Sequence, residues 1–151
     1  MTSFQLEPVD GVWDEALPLV SRNHAESGAM PAEDFDPSRE AYSNLERLGI
    51  LKAFTSRDQA SVLIGYAVFI ISPGHLHYPR VCWAMQDVLY VDPASRGPMT
   101  FRFMKWQDER LRDHGVHAVY RHNTMHKDYS RMLLHMGYHP EEMRYVKDLR
   151  G

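Results

Sequence analysis

Cysteine is nearly absent from the 151-residue sequence, because Cys82 is the only one. A single cysteine excludes an internal disulfide and a zinc site built on cysteine ligands. Long apolar runs are absent too: the longest, Tyr66 to Ile71, is far shorter than the roughly 20 residues that a membrane helix needs. The first residues, MTSFQLEPVD, lack a basic segment followed by an apolar one, so we expect no secretory signal. These absences favour a cytoplasmic protein outside the membrane.

Internal repeats and linker-like tracts are also absent, which predicts one domain over residues 1–151. Hydrophobic residues make up 44% of the chain and charged residues 25%, a composition that supports a folded core. The charges are unevenly distributed. Residues 1–36 hold eight acidic residues and one basic residue, whereas residues 37–151 hold sixteen basic and twelve acidic residues. This split suits a cationic substrate and an anionic ligand on different sides, or an ordinary solvated surface.

Apolar periodicity and turn residues predict the element order β-α-α-β-β-β-α-β-α-β-β. The predicted strands cover residues 3–9, 50–55, 62–71, 81–91, 116–120, 138–139 and 143–149. Two predicted helices begin after the caps Asp10 and Ser38, and two more cover residues 99–114 and 127–136. An antiparallel meander followed by β-α-β crossings predicts an α/β (α+β) fold. We expect a mixed, mostly antiparallel sheet of about seven strands, with about four helices on both faces.

A strand, a short loop and a helix start follow one another between Asp87 and Arg102. Unpaired backbone N–H groups and the helix dipole make such a helix start an anion site. Arg96 and Arg102 add positive charge on either side of the loop. The sequence therefore indicates a pyrophosphate as the candidate ligand.

The segment Leu89-Tyr-Val-Asp-Pro-Ala-Ser-Arg-Gly97 resembles the hallmark of the GNAT superfamily of acyl-CoA-dependent N-acyltransferases. Leu133-Leu-His-Met-Gly-Tyr138 is similar to the family's terminal signature, and residues 138–145 are similar to its last hairpin. The element order matches along residues 3–149, and small phage-borne members are similar in length and ending. The resemblance implies an N-acetyltransferase that moves an acetyl group from acetyl-CoA to a primary amine by direct attack in a ternary complex.

The resemblance also implies where acetyl-CoA binds. Backbone groups of Leu89, Tyr90 and Val91 would meet the pantetheine arm, with Asn123 and His126 near it. The loop around the pyrophosphate would consist of Arg96, Gly97, Pro98, Met99, Thr100, Phe101 and Arg102.

This loop departs from the family pattern R-G-x-G-x-G, because only its first glycine is present. Glycine lets the backbone approach a phosphate closely, whereas Met99 and Phe101 add side chains there. Pro98 removes one N–H donor. A non-catalytic binding protein of the same fold that has lost CoA is therefore an alternative.

Acyl transfer to an amine needs a base for the ammonium and an acid for the leaving thiolate. The resemblance implies a tyrosine as that acid, but Leu133 stands at the commonest position, and Tyr129 is the replacement one turn earlier. Asp87 on the long strand is the best-placed acidic residue for the base, with His122 as a second candidate. A structural role for Tyr129 and for Asp87 remains the other interpretation.

The resemblance implies that the acceptor binds between the first two helices, where Glu26, Glu33 and Asp34 lie. Their charge suits a cationic amine, either a small molecule or a protein side chain, although surface acidity explains it equally well. A nucleic-acid-modifying member of the fold is a third possibility, suggested by the aromatic and basic residues of the helix 99–114. His75 and His77 lack a third metal ligand, so we expect no metal site. A free edge strand at the C-terminus would allow a homodimer.

Overall fold

The computed structural model describes residues 1–151 and contains five strands and four α-helices. The strands are Ser3–Leu6 (β1), Leu51–Arg57 (β2), Leu63–Ser72 (β3), Trp83–Val91 (β4) and Ala118–Tyr120 (β5). The helices are Val9–Ser27 (α1), Arg39–Arg47 (α2), Pro98–Asp113 (α3) and Ser130–His135 (α4). Single 3₁₀ turns at Ala32–Asp34 and Pro93–Ser95 precede α2 and α3.

Local sequence signals explain where several helices begin and end. Ser38 caps α2, because its Oγ accepts a hydrogen bond from the N–H of Ala41 at 3.2 Å. Gly49 and Gly115 follow α2 and α3 with φ of +74° and +84°, a conformation that favours glycine. Pro18 lies at an exposed position inside α1, and the helix continues past it to Ser27.

The strands lie in the sheet in the order in which they occur along the chain. Neighbours from β1 to β4 are antiparallel, with Phe54 opposite Ala67 and Tyr66 opposite Tyr90. β5 is parallel to β4 and is reached through α3. The sheet is therefore mixed and mostly antiparallel, as the sequence predicts.

Two buried clusters cover the two faces of the sheet. On the face that carries α3 and α4, here the α3 face, Phe69 packs with Phe103 and Leu111. On the face that carries α1 and α2, here the α1 face, Leu19 packs with Tyr90. Successive residues of β4 alternate between the clusters, as side chains of a strand do.

Arg121, directly after β5, is buried on the α3 face with a side chain 1% exposed. Its guanidinium donates five hydrogen bonds, at 2.6 to 3.1 Å, to Tyr138 Oη, Gln86 Oε1, Gln107 Oε1, Met104 O and Asp108 Oδ1. All five guanidinium N–H groups thus have partners, which joins the end of β5 to α3 and β4.

The predicted number of about seven strands is wrong, because the sheet has five. Residues 138–139 and 143–149 were expected to be the last strands, but neither segment pairs with a strand. The apolar side chains of Met143, Tyr145 and Leu149 are exposed, so no sheet face is buried there. α4 is also shorter than predicted and begins one residue after Tyr129, because a turn at Thr124 to Lys127 precedes it.

Candidate functional site

A cavity of about 330 Å³ lies on the α1 face of the sheet. Val12, Ala16 and Val20 of α1 line one side, and Tyr66 of β3 lines the side formed by the sheet. The segment that follows β5 lines a further part, including Tyr129. The cavity therefore lies between α1, near the start of the chain, and the segment that precedes α4.

Asp87 reaches the cavity at a β-bulge in β4. Val68 of β3 pairs with Val88, but the next residue, Phe69, pairs with Gln86, so no residue stands opposite Asp87. Such an extra residue re-aims side chains locally. The carboxyl of Asp87 forms no hydrogen bond and no ion pair within the chain, and desolvation in the cavity raises its pKa. It is thus an unpaired, exposed acid that lines the cavity.

Tyr129 and His122 line the same cavity as Asp87. Tyr129 stands directly before α4, where its N–H donates to Asn123 Oδ1 at 2.7 Å. Burial raises the pKa of the Tyr129 hydroxyl, which is therefore protonated at neutral pH. Burial, followed by the charge of Arg144, lowers the pKa of His122, so its ring is mainly neutral at pH 7. The fold thus brings together the three residues that the sequence offers as acid or base.

β4 has an open backbone edge beside the cavity. β5 pairs with it only along Trp83–Met85, so the rest of β4 has no strand neighbour on that side. Leu89, Tyr90 and Val91 lie in this open part with buried side chains, which leaves the backbone to meet a ligand. One of its carbonyls is already used, because Val91 O accepts a hydrogen bond from Arg96 Nε at 2.8 Å.

The start of α3 leaves backbone donors without helical partners. Phe101 donates the first hydrogen bond of the helix, to Gly97 O at 3.2 Å. The N–H groups of Met99 and Thr100 therefore have no acceptor within α3, and Pro98 has no N–H. Gly97 has φ of +106°, and a Cβ placed there meets no atom within 4 Å, so the loop is open to its surroundings.

Met99 and Phe101 stand where the family pattern has glycine, and their side chains point in different directions. Met99 and Thr100 are 9% and 0% exposed, so both side chains point into the core. The ring of Phe101 lies against His135 of α4, with centroids 5.7 Å apart. Arg102 is exposed. The obstruction expected from Met99 is therefore absent, whereas Phe101 fills space between α3 and α4.

Arg96 is engaged within the chain. Its Nη2 donates to both oxygens of Glu26 at 2.9 and 2.8 Å, and its guanidinium lies 5.6 Å from the ring centre of Tyr90. Lys127 Nζ forms an ion pair with the same carboxylate at 2.9 Å and donates to Asn23 Oδ1 at 3.0 Å. Burial raises the pKa of Glu26, but the hydrogen bonds from Lys127 and Arg96 outweigh it, so the net pKa is lowered. Lys127 was not recognised from the sequence as a site residue, since a single lysine in a turn has no diagnostic spacing.

The acidic residues predicted to bind the acceptor lie outside the cavity. Glu26 is paired as described, Glu33 is exposed in the 3₁₀ turn before α2, and Asp34 pairs with Arg150 at 2.6 Å. Asp87 is the only acidic residue that lines the cavity. The acidic front of the chain therefore does not supply the charge of this site.

Asn123 and His126 lie in the turn between β5 and α4. Asn123 Nδ2 donates to Asp128 Oδ1 and Ser130 Oγ, both at 2.8 Å. Its Oδ1 accepts from the N–H of Tyr129, so Asn123 organises the start of α4 and does not line the cavity. His126 is exposed.

Three aromatic lining residues were not recognised from the sequence as part of a site. The rings of Trp13 and Tyr42 meet edge to face at 5.6 Å, and Tyr66 lies beneath α1. Their apolar patterning indicates burial, but it does not distinguish a packed core from a cavity wall.

No group of three or more His, Cys, Asp or Glu side chains is arranged to hold a metal ion. The rings of His75 and His77 lie 5.3 Å apart on the turn after β3. None of the helices combines the length and the apolar character needed to cross a membrane.

Several solved acetyltransferases share this architecture. An acetyltransferase of Trypanosoma brucei is 15% identical with a TM-score of 0.74, covering 99% of this chain and 100% of that chain. A predicted acetyltransferase of Clostridium acetobutylicum, solved with acetyl-CoA, is 12% identical with a TM-score of 0.77, covering 99% and 97%. Glucosamine-6-phosphate N-acetyltransferase of Arabidopsis thaliana is 8% identical with a TM-score of 0.74, covering 99% of each.

The chain therefore has the fold of GNAT acetyltransferases over nearly its whole length. At these identities the likeness establishes the fold and not the activity. The chain matches no protein-family model and no curated protein sequence.

Proposed function

We propose that the protein is an N-acetyltransferase that transfers the acetyl group of acetyl-CoA to a primary amine. One observation carries the proposal: an unpaired acid, Asp87, and a protonated hydroxyl, Tyr129, line one cavity beside the open edge of β4. Acid and base groups in one cavity are what amine acylation requires.

Acetyl-CoA fits the groups that this chain leaves free. The pantetheine arm carries amides that can bond to the open edge of β4, as an added strand would. The free N–H groups of Met99 and Thr100 and the exposed Arg102 suit its pyrophosphate. Acetyl-CoA supplies the acetyl group as a thioester.

Asp87 takes a proton from the acceptor's ammonium and leaves a neutral amine. The amine nitrogen then forms a bond to the acetyl carbon while the bond from that carbon to sulfur breaks, and the nitrogen releases its second proton to water as the amide forms. Tyr129 or a water molecule returns a proton to the departing sulfur. Desolvation in the cavity raises the pKa of Asp87 above its usual value, which makes its carboxylate a stronger base than an ordinary aspartate.

A binding protein that has lost CoA is the second candidate function, and the arrangement of Arg96 favours it. Arg96 and Lys127 both pair with Glu26, so an internal carboxylate already engages two of the cations next to the loop. Pro98 further removes a donor at the helix start.

Thermal unfolding with and without millimolar acetyl-CoA separates the two functions, with free CoA as comparator. A ligand at 100 times its Kd stabilises the native state by about 2.7 kcal/mol, which raises Tm by several degrees. Arg102→Glu should reduce this shift, whereas Arg112→Glu, also exposed on α3, should not. An unchanged Tm at every acetyl-CoA concentration contradicts the acetyltransferase and leaves the binding protein.

A further inference from the structure

The lining of the cavity is mostly apolar. More than half of its lining residues are hydrophobic, and α1 contributes a wall that includes Val12, Ala16 and Val20. Trp13 and Phe35 add aromatic surface to the same side. Such a wall favours an apolar ligand body, because binding removes apolar surface from water on both partners.

The cavity has one carboxylate and one lysine among its lining residues, and only the carboxylate is free of a partner within the chain. Asp87 is its only carboxylate and has no partner within the chain. Lys127 is its only lysine or arginine, and it is held by Glu26 and Asn23. One carboxylate is therefore available to one ammonium group.

We infer that the acceptor is a monoamine with an apolar aliphatic or aromatic body, whose ammonium faces Asp87 and whose body lies against the α1 wall. This inference rests on the proposed function and names the acceptor of the same site. A second ammonium on the body would lie against Ala16 and Val20, where no carboxylate can pair with it. Burying a charge without a partner is strongly unfavourable. Polyamines are therefore poor acceptors, contrary to what the acidic front of the sequence suggests.

A matched pair of amines tests this directly. Hexylamine and 1,6-diaminohexane have the same carbon chain and differ only in the second ammonium. We expect calorimetric titration, with and without CoA, to give a Kd for hexylamine at least about tenfold lower than for the diamine. The same order is expected in kcat/KM with acetyl-CoA. Tighter binding of the diamine, or no binding of hexylamine in either condition, overturns the inference.

The α1 wall is tested by filling it. Ala16→Phe should weaken hexylamine binding at least about tenfold, while leaving the Tm shift by acetyl-CoA unchanged. Ala25→Phe is the matched control, because Ala25 is exposed on the same helix and does not line the cavity. If both variants bind hexylamine as the unchanged protein does, the acceptor does not lie against this wall.

The failure of the inference and the failure of the proposed function give different results. If acetyl-CoA binds and spermidine is acetylated in preference to hexylamine, the proposed acetyltransferase activity is supported and the inferred acceptor class is wrong. If acetyl-CoA neither binds nor reacts with any amine while hexylamine binds, the proposed function is wrong and the amine site remains.

Discussion

The two faces of the sheet carry charged residues in different surroundings, a buried one on the α3 face and an exposed one on the α1 face. On the α3 face, Arg121 has all five N–H groups bonded to acceptors. On the α1 face, the carboxyl of Asp87 has no partner. Both residues flank the point where β4 and β5 separate.

We take this difference to mean that Arg121 stabilises the fold, whereas Asp87 belongs to the proposed ligand site. A fully paired buried charge fixes the elements around it, and removing it leaves its partners unsatisfied. Asp87 is exposed and makes no such contact, so its carboxylate is free to pair with a ligand. The following predictions compare the two residues and their surroundings.

Arg121→Met should have the largest effect on folding. It leaves Asp108, Gln86 and Gln107 without their shared donor, and breaking a buried charge pair costs about 3 to 5 kcal/mol. Urea unfolding measures the loss. Arg112→Met, on an exposed side chain of α3, should change the free energy of unfolding by less than about 0.5 kcal/mol. Equal stabilities for the two variants would show that the Arg121 network is not structural.

Tyr129→Phe should lower kcat about 10²-fold, because it removes the hydroxyl that we propose returns a proton to sulfur. The Tm shift by acetyl-CoA should persist, since the ring remains. Steady-state kinetics on both variants, with Tyr145→Phe in the exposed tail as the control, measures the effect. An unchanged kcat would assign the proton to water.

The pH dependence of kcat/KM should have an acidic limb from Asp87. Only the carboxylate accepts a proton, so the rate rises about tenfold per pH unit until the pH passes its pKa. Desolvation in the cavity raises this pKa, so the limb should lie above the usual aspartate value near 3.8. Asp87→Asn should abolish the acidic limb. Asp14→Asn, a change at an exposed position of α1, should retain it.

Replacing Glu7 should have the smallest effect of these changes. It weakens the contact between α1 and the sheet and so lowers the free energy of unfolding. Burial raises the pKa of Glu7, but hydrogen bonds from Arg57 and Thr55 lower it by more than burial raises it. The pKa in the folded protein is therefore below 4.5. The stabilisation is therefore present at neutral pH and is lost as pH falls through the folded pKa. Glu7→Gln should remove about 1 to 2 kcal/mol at pH 7 and less at pH 3, measured by urea unfolding. An equal effect at both pH values would contradict the ion pair.

The sequence predicted the sheet better than the C-terminal end of the chain. Apolar alternation and turn residues identify β2 to β4 because these strands carry the core. Residues 143–149 show similar alternation, yet they stay exposed, because nothing in the fold covers them. An alternating apolar pattern therefore does not determine whether a segment pairs with another strand.

The candidate site was only partly predictable for the same reason. Asp87 and Tyr129 were found from their place in the family pattern. The pairing of Glu26 with Arg96 joins residues 70 positions apart, and that of Asp34 with Arg150 spans 116 positions. No local signal distinguishes such paired acids from acids that face a ligand.

The most direct test measures activity and stability together in Asp87→Asn. The unpaired carboxyl should be needed for chemistry and not for folding. We expect kcat/KM for hexylamine to fall at least about 10²-fold, with the free energy of unfolding within about 1 kcal/mol of the unchanged protein. Retained activity, or a loss of stability as large as that of Arg121→Met, would contradict a ligand-binding role for Asp87.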